Sequence, residues 1–173
     1  MSSLTLSRHV VTIPKKIVES LENILSKAEQ HPKAASFPEA RLAEDMFPLS
    51  FQVWCVTDNI CKGIARAQGT EPPVLERDLT TLAAMKDRLK FTAEALEKAD
   101  VDLINKREEE TVTLGLGPGK NGQMSTINYI LGYSQPNVYF HLNMAYAILR
   151  KEGVELGKQD YLSAFTKGDL TIL

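Results

Sequence analysis

Apolar residues recur at intervals of three and four in four separate stretches of this chain, and that period belongs to amphipathic helices packed on a shared core. Ile13, Ile17, Leu21, Ile24 and Ala28 form the first stripe, inside a helix expected over residues 7–30. Pro14 lies within that pattern, so the regular helix either begins there or kinks there. Leu49, Gln52, Val53, Val56, Ile60 and Ile64 form the second, with Asp45 as the expected cap before Met46, Phe47 and Pro48. Gly69 and the Pro72–Pro73 pair close it. A third helix is expected over 78–98, carrying Leu82, Met85, Leu89, Ala93 and Leu96, with Thr80 or Asp78 as cap. The fourth is expected over 137–151, ended by Gly153, after a helical piece at 126–133 that Gln135-Pro136-Asn137 interrupts.

Between the third and fourth stripes the pattern changes. Thr111, Val112, Thr113 and Leu114, followed by the glycine-rich GLGPGKNG, predict a short β-hairpin. That segment lacks the G-x-x-x-x-G-K-[ST] spacing of a phosphate loop. Residues 31–44, with Pro32 and Pro38, read as a long connection that covers a pocket mouth, and the tail from Val154 reads as irregular. The expected fold is all-α: an antiparallel four-helix bundle with long connections and a short hairpin before the last helix, one domain over residues 1–173.

Charge and composition remove several function classes. A net charge of −2 with no polybasic run argues against nucleic acid or anionic lipid as a partner. No apolar run approaches the roughly eighteen residues that cross a bilayer, and the first residues lack the apolar core of a secretory signal, so a cytoplasmic location is expected. Cys55 and Cys61 are six apart in one helix, a spacing that turns them to different faces, and they read as reduced structural residues. His9 and His31 lie at or beyond the ends of the first helix. With no H-x-x-x-H or H-E-x-x-H pattern and no Cys/His cluster, neither a metal nor another cofactor is expected.

Two polar side chains break apolar stripes. His141 shares a helix face with Asn137, Met144, Ala145 and Ile148, and Gln52 sits in the second stripe. A buried amide costs about 1–3 kcal/mol unless it is hydrogen-bonded, so Gln52 requires a partner, and His141 across two helices is the expected one. These two are the candidate catalytic residues, with His141 as acid or base. Asn137, Tyr139, Tyr146 and Trp54 are the candidate ligand-binding residues lining the same pocket, and Asp45 and Arg41 would flank its mouth. Each also has a packing, capping or salt-bridge reading, and Asp58 is read as solvated.

The segments ARLAEDMFPL with Gln52, then QPNVYFH through AYAILR, then Gly153-Val154 and GKQDYL resemble, over nearly the full chain, a bacterial and fungal group catalogued as a domain of unknown function. The group is similar to the DinB-like superfamily, four-helix bundles whose better known members hold a divalent metal with one histidine from the second helix and two, four apart, from the last. The resemblance places Gln52 and His141 at two of those positions and Ala145 at the third, where an alanine cannot coordinate. It therefore implies a metal pocket kept in shape and altered in chemistry, suited to a small organic ligand. The expected function is a small-molecule-binding bundle with metal-independent chemistry of isomerase, cyclase or transferase type resting on His141 as acid or base. The alternatives are a degenerate metal-binding protein or a non-catalytic dimerisation module, a homodimer being the expected assembly for the latter.

Overall fold

The computed structural model describes residues 4–115 and 117–168. Its helices are α1 (Ile13–Glu29), α2 (Leu49–Gln68), α3 (Leu82–Glu97), the short α4 (Val101–Lys106), α5 (Thr126–Tyr129), α6 (Gln135–Lys151) and α7 (Lys158–Thr166). Strands β1 (Thr111–Gly115) and β2 (Asn121–Ser125) form an antiparallel hairpin in which Thr111 faces Ser125 and Gly115 faces Asn121. The four long helices close a ring in which α1 and α2 each pack on both α3 and α6. The apolar stripes meet at its centre: Leu21, Ile24, Leu49, Val53, Val56, Met85, Leu142 and Leu149 have no more than trace exposure. Each such side chain contributes about 1.5–3 kcal/mol by leaving water.

The prolines that open α1 and α6 are absorbed by the same device. Residues Arg8–Thr12 and Ile130–Ser134 are π-helical, and the N–H of Ile13 and of Gln135 donates five residues back, to the carbonyls of Arg8 and Ile130. Pro14 and Pro136 each follow directly, in the first turn of the regular helix, where a missing N–H costs little. The expected interruption at 135–137 is thus corrected: the chain stays helical from Thr126 to Lys151. Gly63 on α2 faces the second π turn, where a Cβ would meet Ser134 Oγ at 3.4 Å, an ordinary contact distance.

Other boundaries also differ from expectation. Asp45 does not cap α2; it lies exposed in a turn, and Pro48 occupies the cap position without any side-chain hydrogen bond. Thr81, rather than Thr80 or Asp78, caps α3 by accepting from the Ala84 N–H at 3.1 Å. The tail is not irregular, because α7 forms over 158–166. Its start is fixed reciprocally: the Asp160 carboxylate accepts from the Gly157 N–H at 2.7 Å and the Asp160 N–H donates back to the Gly157 carbonyl. Lys27 of α1 pairs with the same carboxylate at 2.6 Å.

Candidate functional site

Gln52 and His141 meet across the α2–α6 seam, His141 Nδ1 lying 2.8 Å from Gln52 Oε1. Gln52 is only 3% exposed, so both ends of its amide need partners. The other end is occupied: Nε2 donates to the Phe47 carbonyl at 2.9 Å. Reversing the amide would set its oxygen against that carbonyl, so Oε1 faces the imidazole and acts only as acceptor. His141 therefore carries its proton on Nδ1 and a lone pair on Nε2, which makes no hydrogen bond among the described residues.

The surroundings keep this imidazole neutral. Half-burial pulls the His141 pKa below its ordinary 6.5, because a charged ring would lose hydration. Gln52 supplies a dipole where a carboxylate would supply a charge. The ring is also enclosed by aromatic edges, with Phe140 at 5.2 Å and Phe51 at 6.2 Å, both near perpendicular.

The backbone that orients Gln52 is itself clamped. Arg41 donates to the Met46 carbonyl at 2.7 Å, and Lys151 at the end of α6 donates to the Arg41 carbonyl at 2.8 Å. Arg41 thus fastens the 41–47 segment beside the pair, while Asp45 points to solvent on the same segment without joining it. Trp54 lies one turn along α2 from Phe51 at 5.5 Å, its indole N–H donating to the Leu75 carbonyl at 2.9 Å.

The remaining expected lining residues are placed elsewhere. Asn137 turns back along its own helix, donating to the Tyr133 carbonyl at 2.7 Å. Tyr139 and Tyr146 face α7, where Tyr139 packs on Phe165 and Tyr146 meets the edge of Tyr161. Asp58 is buried, not solvated: it is 5% exposed and pairs with Lys62 at 2.6 Å. Burial pushes the thiols of Cys55 and Cys61 up to about 12 and about 11, and both are free and buried. Sequence reasoning missed Phe51, Phe47 and Arg77. The first two lie in the helix-two start and were visible there; Arg77 sits in the segment before α3, which has no period to mark it.

The donor set was tested against the divalent metal that the resemblance implies. A catalytic centre of this kind ordinarily needs three strong protein ligands. Here Gln52 Oε1 is already accepting from His141, Ala145 offers a methyl group, and among the described residues no three His, Cys, Asp or Glu side chains cluster. The residues present do not fit that metal.

The arrangement defines a class: helical bundles of the DinB type. A solved structure of a DinB family member protein from Shewanella denitrificans superposes with a TM-score of 0.82 at 30% identity, covering 91% of each chain. More narrowly, residues 6–162 match the family model described as Domain of unknown function (DUF1993), and the chain belongs to that family. No curated protein matches it. No helix among the described residues is long and apolar enough to cross a membrane.

Proposed function

We propose that the Gln52–His141 pair is the centre of a small-molecule site in which His141 Nε2 takes a proton from the ligand. The observation that supports this reading is the amide chain from the Phe47 carbonyl through Gln52 to His141, which holds the ring in one tautomer with its basic nitrogen unengaged. A base so held suits reactions that remove a proton from one atom and return it to another, such as isomerisation, cyclisation or addition, with no change in oxidation level. Gln52 is a positioning residue: it orients the ring and cannot neutralise the imidazolium as a carboxylate would.

The test is a thermal-shift screen of small metabolites and divalent ions on untagged protein, repeated on His141→Ala. An organic ligand that raises Tm in the wild type and not in the variant is the expected result. A stoichiometric ion whose stabilisation vanishes with His141 would overturn it. A second reading, an interface between two copies of the chain, is favoured by Phe47 and Phe140, which are 59% and 53% exposed on either side of His141. Sedimentation across a concentration series separates the two.

A further inference from the structure

The guanidinium of Arg77 lies over the Trp54 ring, its carbon 4.2 Å from that centroid and 5.3 Å from the centroid of Phe51. The platform beneath it is rigid: Trp54 is anchored to the Leu75 carbonyl, two residues before Arg77, and Phe51 stacks on Phe47 at 4.1 Å. A guanidinium held over aromatic rings keeps its N–H donors available to a planar acceptor such as a carboxylate. Arg41, Arg66, Arg88 and Arg150 donate to carbonyl, hydroxyl or carboxylate oxygens, whereas Arg8 and Arg107, like Arg77, have no such side-chain bond among the described residues, and of these three only Arg77 lies over aromatic rings. Arg77 makes no hydrogen bond or ion pair among the described residues.

This cation borders a concavity of about 190 Å³, whose other walls are Phe47, Pro48, Ser50, Phe51 and Leu79. That is smaller than the usual drug-sized pocket, and it suits a ligand of one ring. Its chemistry is one preorganised bidentate cation beside an exposed aromatic face, which matches a flat body carrying a carboxylate. His141 does not line this concavity but meets Phe51, which does. Phe51 contacts both Arg77 and His141, so the two groups are no farther apart than those two ring contacts laid end to end.

We infer that Arg77 anchors the carboxylate of a small aromatic acid, whose ring packs against the exposed Phe47 and whose far end carries an acidic hydroxyl toward His141. The inference rests on the proposed role of His141 for the second half of that statement, while the anchor itself is tested separately. Arg77 is exposed and makes no hydrogen bond or ion pair among the described residues, so its replacement strands no buried partner.

The experiment uses Trp54, the only tryptophan in the chain, as an internal reporter beneath the anchor. Titration of the full-length protein with para-hydroxybenzoate should quench its emission saturably. The methyl ester and acetate should bind at least tenfold more weakly, and Arg77→Gln should lose at least tenfold in affinity for the acid. The imidazole nitrogen spectrum of His141, recorded in the same titration, should shift at Nε2. Equal binding of the ester, equal binding by Arg77→Gln, or no saturable quench by the acid would each overturn the anchor. Emission that follows protein concentration and ignores the acid would also overturn it, in favour of contact between two copies. Arg77-dependent binding with an unmoved His141 spectrum would confirm the anchor and refute the base.

Discussion

Helix α6 presents chemically able side chains to two neighbours, and the two seams differ in one respect. Toward α7 it offers Tyr139 and Tyr146, which join Tyr161 and Phe165 in an aromatic ladder, Tyr161 stacking on Phe165 at 5.6 Å. Tyr146 even spends its hydroxyl on the Leu156 carbonyl, at a long 3.4 Å. Toward α2 it offers His141, two residues along from Tyr139, whose Nδ1 is committed and whose Nε2 is not. Titratable groups occur in both seams. Only in the second is a reactive atom held in a fixed state and left without a partner, and that marks the candidate site better than residue type does.

The strongest way to break this contrast is to remove its orienting amide. Gln52→Leu strands both the Phe47 carbonyl and the His141 Nδ1–H, and it should cost about 3 kcal/mol in urea unfolding. A cost below about 0.5 kcal/mol would mean that the pair does not determine the local geometry. Gln52→Glu sharpens the contrast by replacing a dipole with a charge. It should raise the His141 pKa by about 1 or more, read by imidazole NMR, at a stability cost from the carboxylate facing the Phe47 carbonyl. An unchanged pKa would place the new carboxylate away from the ring.

On the other seam, Asp160→Ala removes the acceptor for the Gly157 N–H and the partner of Lys27. It should cost about 1 kcal/mol and expose the α7 amides to hydrogen exchange first. Uniform exchange would show that α7 is not separately held. A smaller effect concerns pH. With the folded His141 pKa below 6.5, the unfolded chain binds more protons between the two values, so this residue's contribution makes stability fall as pH drops through and below 6.5. His141→Gln should flatten that part of the profile, and an identical slope would locate the titration elsewhere. Smallest of all, Tyr146→Phe should change unfolding free energy by no more than about 0.5 kcal/mol, since the bond it removes is long.

The four stripes, the hairpin and the Gln52–His141 contact were legible because each rests on a local rule: helical period, turn composition, and the cost of an unpaired amide among apolar neighbours. What escaped depended on tertiary context. Pro136 reads as a breaker on intrinsic grounds, but the π turn before it supplies the geometry it needs. The α7 helix carries Tyr161, Ala164 and Phe165 at helical spacing, yet its amphipathic signal is weak over nine residues and its docking on α1 and α6 decides it. Arg77 has no pattern around it, and only the fold lays it on Trp54. Tyr139 and Tyr146 were expected beside His141 because α7, the helix they face, was missing from the sequence reading.

The second π turn also sets the phase of everything after it. A turn that spends one additional residue rotates the downstream helix by about 100° relative to an uninterrupted α-helix. The side on which residue 141 emerges is therefore encoded eleven positions upstream at Ile130, in a backbone irregularity and not in the neighbourhood of the histidine. A one-residue deletion within 130–134 would remove the surplus residue, let the turn close as regular α-helix and leave the downstream faces where they are; straightening the turn with all five residues kept would instead act as a frame shift of the surface, with the tyrosines and the histidine dealt to different neighbours.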